Sequence, residues 1–175
     1  MKVMKKILKW FFLIWGVLTF GLTLLAGAYF LFVLNAPKKE ISLWDVRFVL
    51  NGCGLGSQHA KQLVHSYESS RSFTGDHFDA YAILVTHVDE PKLSYNQDWV
   101  RGDRATPVII NAVNLIGGWA RNETNEWFPQ VEDLLSKNYY INIRKITMHN
   151  RGVYIAEITF VNPATKMVYY ASVKV

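Results

Sequence analysis

The 175-residue sequence has one cysteine, five prolines and, before Glu40, no acidic residue. A lone cysteine excludes a disulfide-stapled scaffold and any multi-cysteine zinc or iron–sulfur site. The five histidines (His59, His65, His77, His87, His149) show neither H-E-x-x-H nor another metal-binding helical spacing. Gly52-Cys53-Gly54-Leu55-Gly56 lacks the G-x-G-x-x-G spacing of a dinucleotide loop and reads as loop punctuation. No repeat is visible, and the composition excludes collagen-like, low-complexity and disordered classes. No catalytic constellation, metal site or cofactor is expected, so the chain reads more as a non-enzyme than as an enzyme.

The missing N-terminal acids decide how the net charge of +5 is interpreted. Lys2, Lys5, Lys6 and Lys9 sit in the first nine positions. Removing these four from nineteen basic residues leaves fifteen against fourteen acids, a balance of +1 for the rest. The basic character belongs to the N-terminal tail. A nucleic-acid-binding domain carries its own basic footprint, so no nucleic acid is expected as a partner.

What is present first is a long apolar run. Residues 10–34 contain no charge. As a helix they would extend about 37 Å, enough to cross a hydrocarbon core of about 30 Å. Lysines precede the run and aromatics mark both ends, with Trp10, Trp15 and Tyr29 as expected membrane anchors. A cleaved signal peptide is the competing reading, because Ala26-Gly27-Ala28 weakly fits a cleavage site. Cleavage there would leave Tyr29-Phe30-Leu31-Phe32-Val33-Leu34 as a greasy new terminus. A single-pass, uncleaved signal anchor is therefore expected. Four lysines on the near side face Lys38, Lys39 and Arg47 on the far side. That bias orients the N-terminus to the cytoplasm and the domain outside. Localisation follows as the inner (plasma) membrane with a periplasmic or extracytoplasmic domain.

The expected organisation is a basic tail (1–9), a transmembrane helix (10–34), a juxtamembrane segment (35–56) and an α+β domain (57–175). Residues 36–40 are a polar exit. Leu43, Val46, Val49 and Leu50 recur at helical spacing and suggest a short amphipathic helix near the membrane surface, beside Trp44. Ser57 caps an expected helix over 57–70 with Ala60, Leu63, Val64 and Tyr67 as its apolar stripe. Residues 79–88 read as a strand that ends at Asp89-Glu90-Pro91, with a polar loop to Ala105. Thr106-Pro107 starts a largely buried helix. After a break at 122–125, a second helix runs to about residue 137, with Trp127, Val131, Leu134 and Leu135 inward and Pro129 in its first turn. The C-terminal stretch is a three-strand meander turning at Asn150-Arg151-Gly152 and at Asn162-Pro163-Ala164-Thr165. In its middle strand Tyr154, Ala156, Ile158 and Phe160 share one face, with Glu157 and Thr159 on the other. One sheet face should pack on helices and the other should be at least partly wet.

The order is then helix, helix, strand, helices, three-strand meander. This topology over residues 41–175 resembles the NTF2-like (cystatin-like) cone, a curved antiparallel sheet wrapped around helices. A membrane helix followed by such a domain resembles the VirB8-like inner-membrane subunits of secretion and conjugation machines. The resemblance implies an accessory or assembly subunit of an envelope complex that binds membrane or envelope proteins, or a second copy of itself.

The same resemblance implies a second reading, a small-ligand binder or enzyme using a cone cavity. Its expected lining is Tyr81, His87, Trp119 and Glu157, with His87 facing Glu157 or Asp79 as an acid–base pair. An exclusion, immunity or defence protein of a mobile element fits the size and topology equally. Three short motifs carry little: Cys53 has no base beside it, Arg101-Gly102-Asp103 is an integrin tripeptide, and Asn122-Glu123-Thr124 is a glycosylation sequon.

Overall fold

The computed structural model describes residues 2–34 (backbone alone at 2–8 and 32–34), 41–124, 126–150 and 152–175. The polar exit at 36–40, Asn125 of the expected break and Arg151 of the expected turn lie outside the described residues. The chain divides into two units, Met1–Glu40 and Ile41–Val175.

The first unit is one helix, α1 (Lys2–Leu34). The helix starts within the lysine-bearing segment, so its backbone is helical from Lys2 onward. Lys9–Leu31 is long and apolar enough to cross a membrane, and none of it is buried by protein. Trp10, Trp15 and Tyr29 are exposed along it. The Thr19 and Thr23 hydroxyls donate back to the Trp15 and Thr19 carbonyls, which satisfies them within the helix.

The second unit is built on a six-stranded antiparallel sheet in the order β1-β2-β6-β5-β4-β3. The strands are β1 (Ala60–Glu68), β2 (His77–Val85), β3 (Trp99–Arg101), β4 (Tyr140–His149), β5 (Gly152–Asn162) and β6 (Met167–Lys174). Helix α4 (Pro107–Glu123) follows β3 and crosses one face. Phe78 and Ala80 of β2, Ile141 of β4, Ala156, Ile158 and Phe160 of β5, and Ala171 and Val173 of β6 point to that face. They bury Ile109, Ala112, Val113, Ile116 and Ala120 of the helix. The middle-strand alternation read from sequence is the one observed for Ala156, Ile158 and Phe160.

The opposite face is not simply wet. Its β3-side end carries a second core of Tyr81, Ile83, Val85, Tyr140, Val161, Val168 and Tyr170. These pack under α2 (Arg47–Gly52), α3 (Glu90–Tyr95) and the strand residue Trp99. Val46, Val49, Leu50 and Cys53 are buried there. Residues 41–56, expected as a juxtamembrane segment, therefore belong to the domain.

Three further expectations change. Residues 60–68 form a strand and not a helix. β1 pairs with β2 along its length, but its register slips between Ala60 and Gln62 and again between Leu63 and His65. Each bulge inserts one extra residue. The half-buried positions become Ala60, Leu63 and Tyr67, the spacing of a helical stripe. The loop at 89–105 contains α3 and β3. The Asp89 carboxylate accepts from the Lys92 amide at 3.2 Å and Pro91 occupies the first turn of α3. The second C-terminal helix shrinks to α5 (Val131–Leu134), four residues that seat Leu134 in the core.

Candidate functional site

Period-two alternation on β2, β5 and β6 carries a polar set onto the second sheet face, beyond the core under α2. Cross-strand register places Tyr81 opposite Tyr170, Asp79 opposite Ser172, and Ser172 opposite Glu157. The Tyr81 and Tyr170 rings stack at 5.6 Å and 9°. Phe48 of α2 meets both edge-on, at 6.5 and 5.6 Å. The Arg144 guanidinium lies over the Phe48 ring at 5.5 Å. An aromatic cap thus closes this part of the face.

The hydroxyls point outward into acids. Tyr81 Oη donates to Glu68 Oε1 at 2.5 Å, and Tyr170 Oη donates to Glu157 Oε1 at 2.7 Å. Burial and these carboxylates push both phenols well above the ordinary tyrosine range. Both are therefore hydrogen-bond donors, never bases. Arg144 Nε stands 3.9 Å from Glu157 Oε2.

Asp79 is the most enclosed acid of the group. Its side chain is nine-tenths buried, and Oδ2 accepts from Arg71 Nη2 at 2.9 Å. Among the described residues Oδ1 is buried without a hydrogen-bond partner. Burial raises the Asp79 pKa although Arg71 pulls it down. His77 Nδ1 lies 2.8 Å from the Gly75 carbonyl, which can only accept, so Nδ1 carries the proton. That leaves Nε2 for the Ser172 hydroxyl at 3.3 Å. Ser172 is itself buried between β2 and β5. The pair ties strands together and offers no exposed nucleophile.

The four residues expected to line one cavity do not come together. Tyr81 and Glu157 share the polar face. Trp119 lies on the other side of the sheet, stacked on Phe78 at 6.4 Å in the core beneath α4. Alternation puts Phe78 and Tyr81 on opposite faces of β2. His87 follows β2 and sits beside His59, ring centroids 6.3 Å apart, at a small cavity of about 160 Å³ that includes Asp89 and Lys92. It faces neither Glu157 nor Asp79.

Sequence reasoning missed the other end of the sheet. A cavity of about 350 Å³ opens between α3 and β3, with Trp99 and Leu93 shared by the His87 cavity. Arg101, Arg104, Ser94 and Tyr140 complete its polar lining. The available signal was the Asp-x-Pro helix start before Ser94.

The short motifs resolve plainly. Cys53 is buried, its Sγ donates to the Leu50 carbonyl at 3.5 Å, and burial pushes the thiol up to about 11. Arg101 and Asp103 of the integrin-like tripeptide grip each other at 2.7 and 2.9 Å, while Gly102 is buried against the 134–136 backbone. Thr124 of the sequon is buried and donates to the Ala120 carbonyl at 2.7 Å. Among the described residues no three His, Cys, Asp or Glu side chains come close enough to hold a metal ion.

No family model, curated protein or solved structure matches the chain.

Proposed function

We propose that this chain is a single-pass membrane protein whose domain binds other proteins as an accessory or assembly subunit of an envelope complex. In this reading α1 spans the inner membrane with the N-terminus cytoplasmic, and the domain is extracytoplasmic. The sheet is read as an NTF2-like cone. The VirB8-like subunits are the functional analogy, by topology alone.

The carrying observation is the tip between β1 and β2. Phe73 is fully exposed there, yet the turn that holds it is tightly bonded. The Ser72 amide donates to the Asp76 carbonyl at 3.1 Å, and the Gly75 amide to the Ser72 carbonyl at 2.9 Å. The Asp76 amide donates to Ser72 Oγ at 2.9 Å, and Lys174 Nζ to the Thr74 carbonyl at 2.5 Å. A large apolar side chain on a pre-ordered turn is the form of an interface anchor, because little entropy remains to be lost on docking.

The test is gentle detergent extraction of the full-length chain, followed by mass spectrometry of what co-purifies. A stoichiometric membrane or envelope protein is expected. Phe73→Ser should lose it while leaving the unfolding midpoint unchanged. A chain that purifies alone and monomeric, or a partner retained by Phe73→Ser, overturns the reading. A partner encoded by a mobile element would move the role to exclusion or immunity.

A further inference from the structure

The α3–β3 cavity has its own chemistry, independent of the Phe73 tip. We infer that it binds a small planar monocarboxylate. At about 350 Å³ it lies at the lower end of the range for small-molecule pockets. Its lining includes two arginines and no carboxylate.

The two arginines are not equivalent. Arg101 spends Nε and Nη2 on the two oxygens of Asp103, at 2.7 and 2.9 Å. That fork is neutralised and held in place. Arg104 makes no hydrogen bond or ion pair among the described residues. Asp103 also feels the charge of Arg104, so two guanidiniums share one carboxylate and one positive charge is left over at the cavity, which one negative charge matches.

The hydroxyls do not compete for the anion. Tyr140 Oη donates to Glu90 Oε1 at 3.2 Å and lies 2.9 Å from Ser94 Oγ. Ser94 Oγ donates to the Glu90 carbonyl at 3.2 Å. Two protons serve these three contacts, either hydroxyl donating across the Ser94–Tyr140 pair, so both are spent within this wall and it presents lone pairs. A carboxylate is repelled from it and directed to Arg104, whose planar fork fits a carboxylate with two hydrogen bonds. The remaining walls are the rings of Trp99 and Tyr140, both less than a tenth exposed and anchored on paired strands. Flat apolar surfaces beside a guanidinium favour a ligand with a flat apolar body and one anionic end.

The experiment uses the full-length chain in detergent and 4-fluorobenzoate as probe, followed by fluorine NMR line broadening. Detergent alone is the blank, and 4-fluorobenzamide is the uncharged isostere. Saturable broadening by the acid is expected, with a Kd of about 1 mM or tighter, and none by the amide. Arg104→Gln should weaken binding by about tenfold or more, with Arg104→Lys between it and the parent. Arg121→Gln, on the last turn of α4, should bind as the parent does. Arg104 is exposed, so its variants should melt with the parent. Broadening no greater than in detergent alone, equal binding of acid and amide, or full binding by Arg104→Gln overturns the inference.

Discussion

Asp79 and Cys53 are both ionisable groups that burial holds in their neutral direction, and each gives a measurement. The raised Asp79 pKa means that the folded state holds its proton more tightly than the unfolded chain, whose aspartates titrate near about 3.9. The unfolded state then binds fewer protons than the native state between those two values. Stability from this group falls as pH rises through that window. Asp79→Asn removes the titration and keeps the shape. Unfolding midpoints measured from pH 4 to 7 should therefore move in the variant's favour as pH rises, and a trend toward the parent would refute the account. Arg71 sets the size of the effect, since it is the one partner that stabilises the ionised form by direct hydrogen bonding. For Cys53, a thiol pushed up to about 11 holds almost no thiolate at neutral pH. Iodoacetamide should leave it unmodified in the folded chain and alkylate it once denaturant is added, as intact mass would show.

Among the elements, α2 and β1 carry the argument. α2 has a helical apolar pattern that suits a membrane surface and a protein core equally well. The structure decides for the core, with Leu50 fully buried against the second sheet face. Leu50→Ala should then cost about 2–5 kcal/mol of domain stability, measured by chemical denaturation of the full chain in detergent. A change near zero would return α2 to a peripheral role. β1 shows how a correct spacing can name the wrong element. Ala60 and Leu63 pack on the α2 face and Tyr67 on the α4 face, and the two bulges space these half-buried positions by three and four, so they mimic a helical stripe. Nothing in the segment by itself announces those bulges, because they follow from how β2 lies against it. α3 is the opposite case. Asp89 capping Lys92 with Pro91 in the first turn is a readable helix start, although Pro91 equally reads as a strand stop.

The whole molecule consists of two compact units, the one that holds α1 and Ile41–Val175. A helix as apolar as Lys9–Leu31 should hold the chain in the bilayer through alkaline carbonate washing. The sidedness is tested separately. Tyr95 is exposed in α3, so Tyr95→Cys in a Cys53→Ser background offers one accessible thiol. Labelling of intact cells by a membrane-impermeant maleimide is expected. Labelling only after lysis would invert the topology.

Local signals determined what local forces control. An uncharged run longer than a bilayer core fixes α1, a proline at the first helical position fixes the start of α4 although the Thr106 side chain makes no cap hydrogen bond there, and β-branched runs between turn residues fix the meander. The same residues do not say which strand lies beside which. Only the tertiary structure set β6 between β2 and β5, and that one placement stacks Tyr81 on Tyr170 and seats Ser172 between Asp79 and Glu157. It also separated Trp119 and Tyr81 onto opposite faces and opened a cavity beside Arg104. The reason is physical. Helix and turn preferences act over a few residues, whereas a sheet face is assembled from segments far apart in sequence, and its chemistry exists only once they pair.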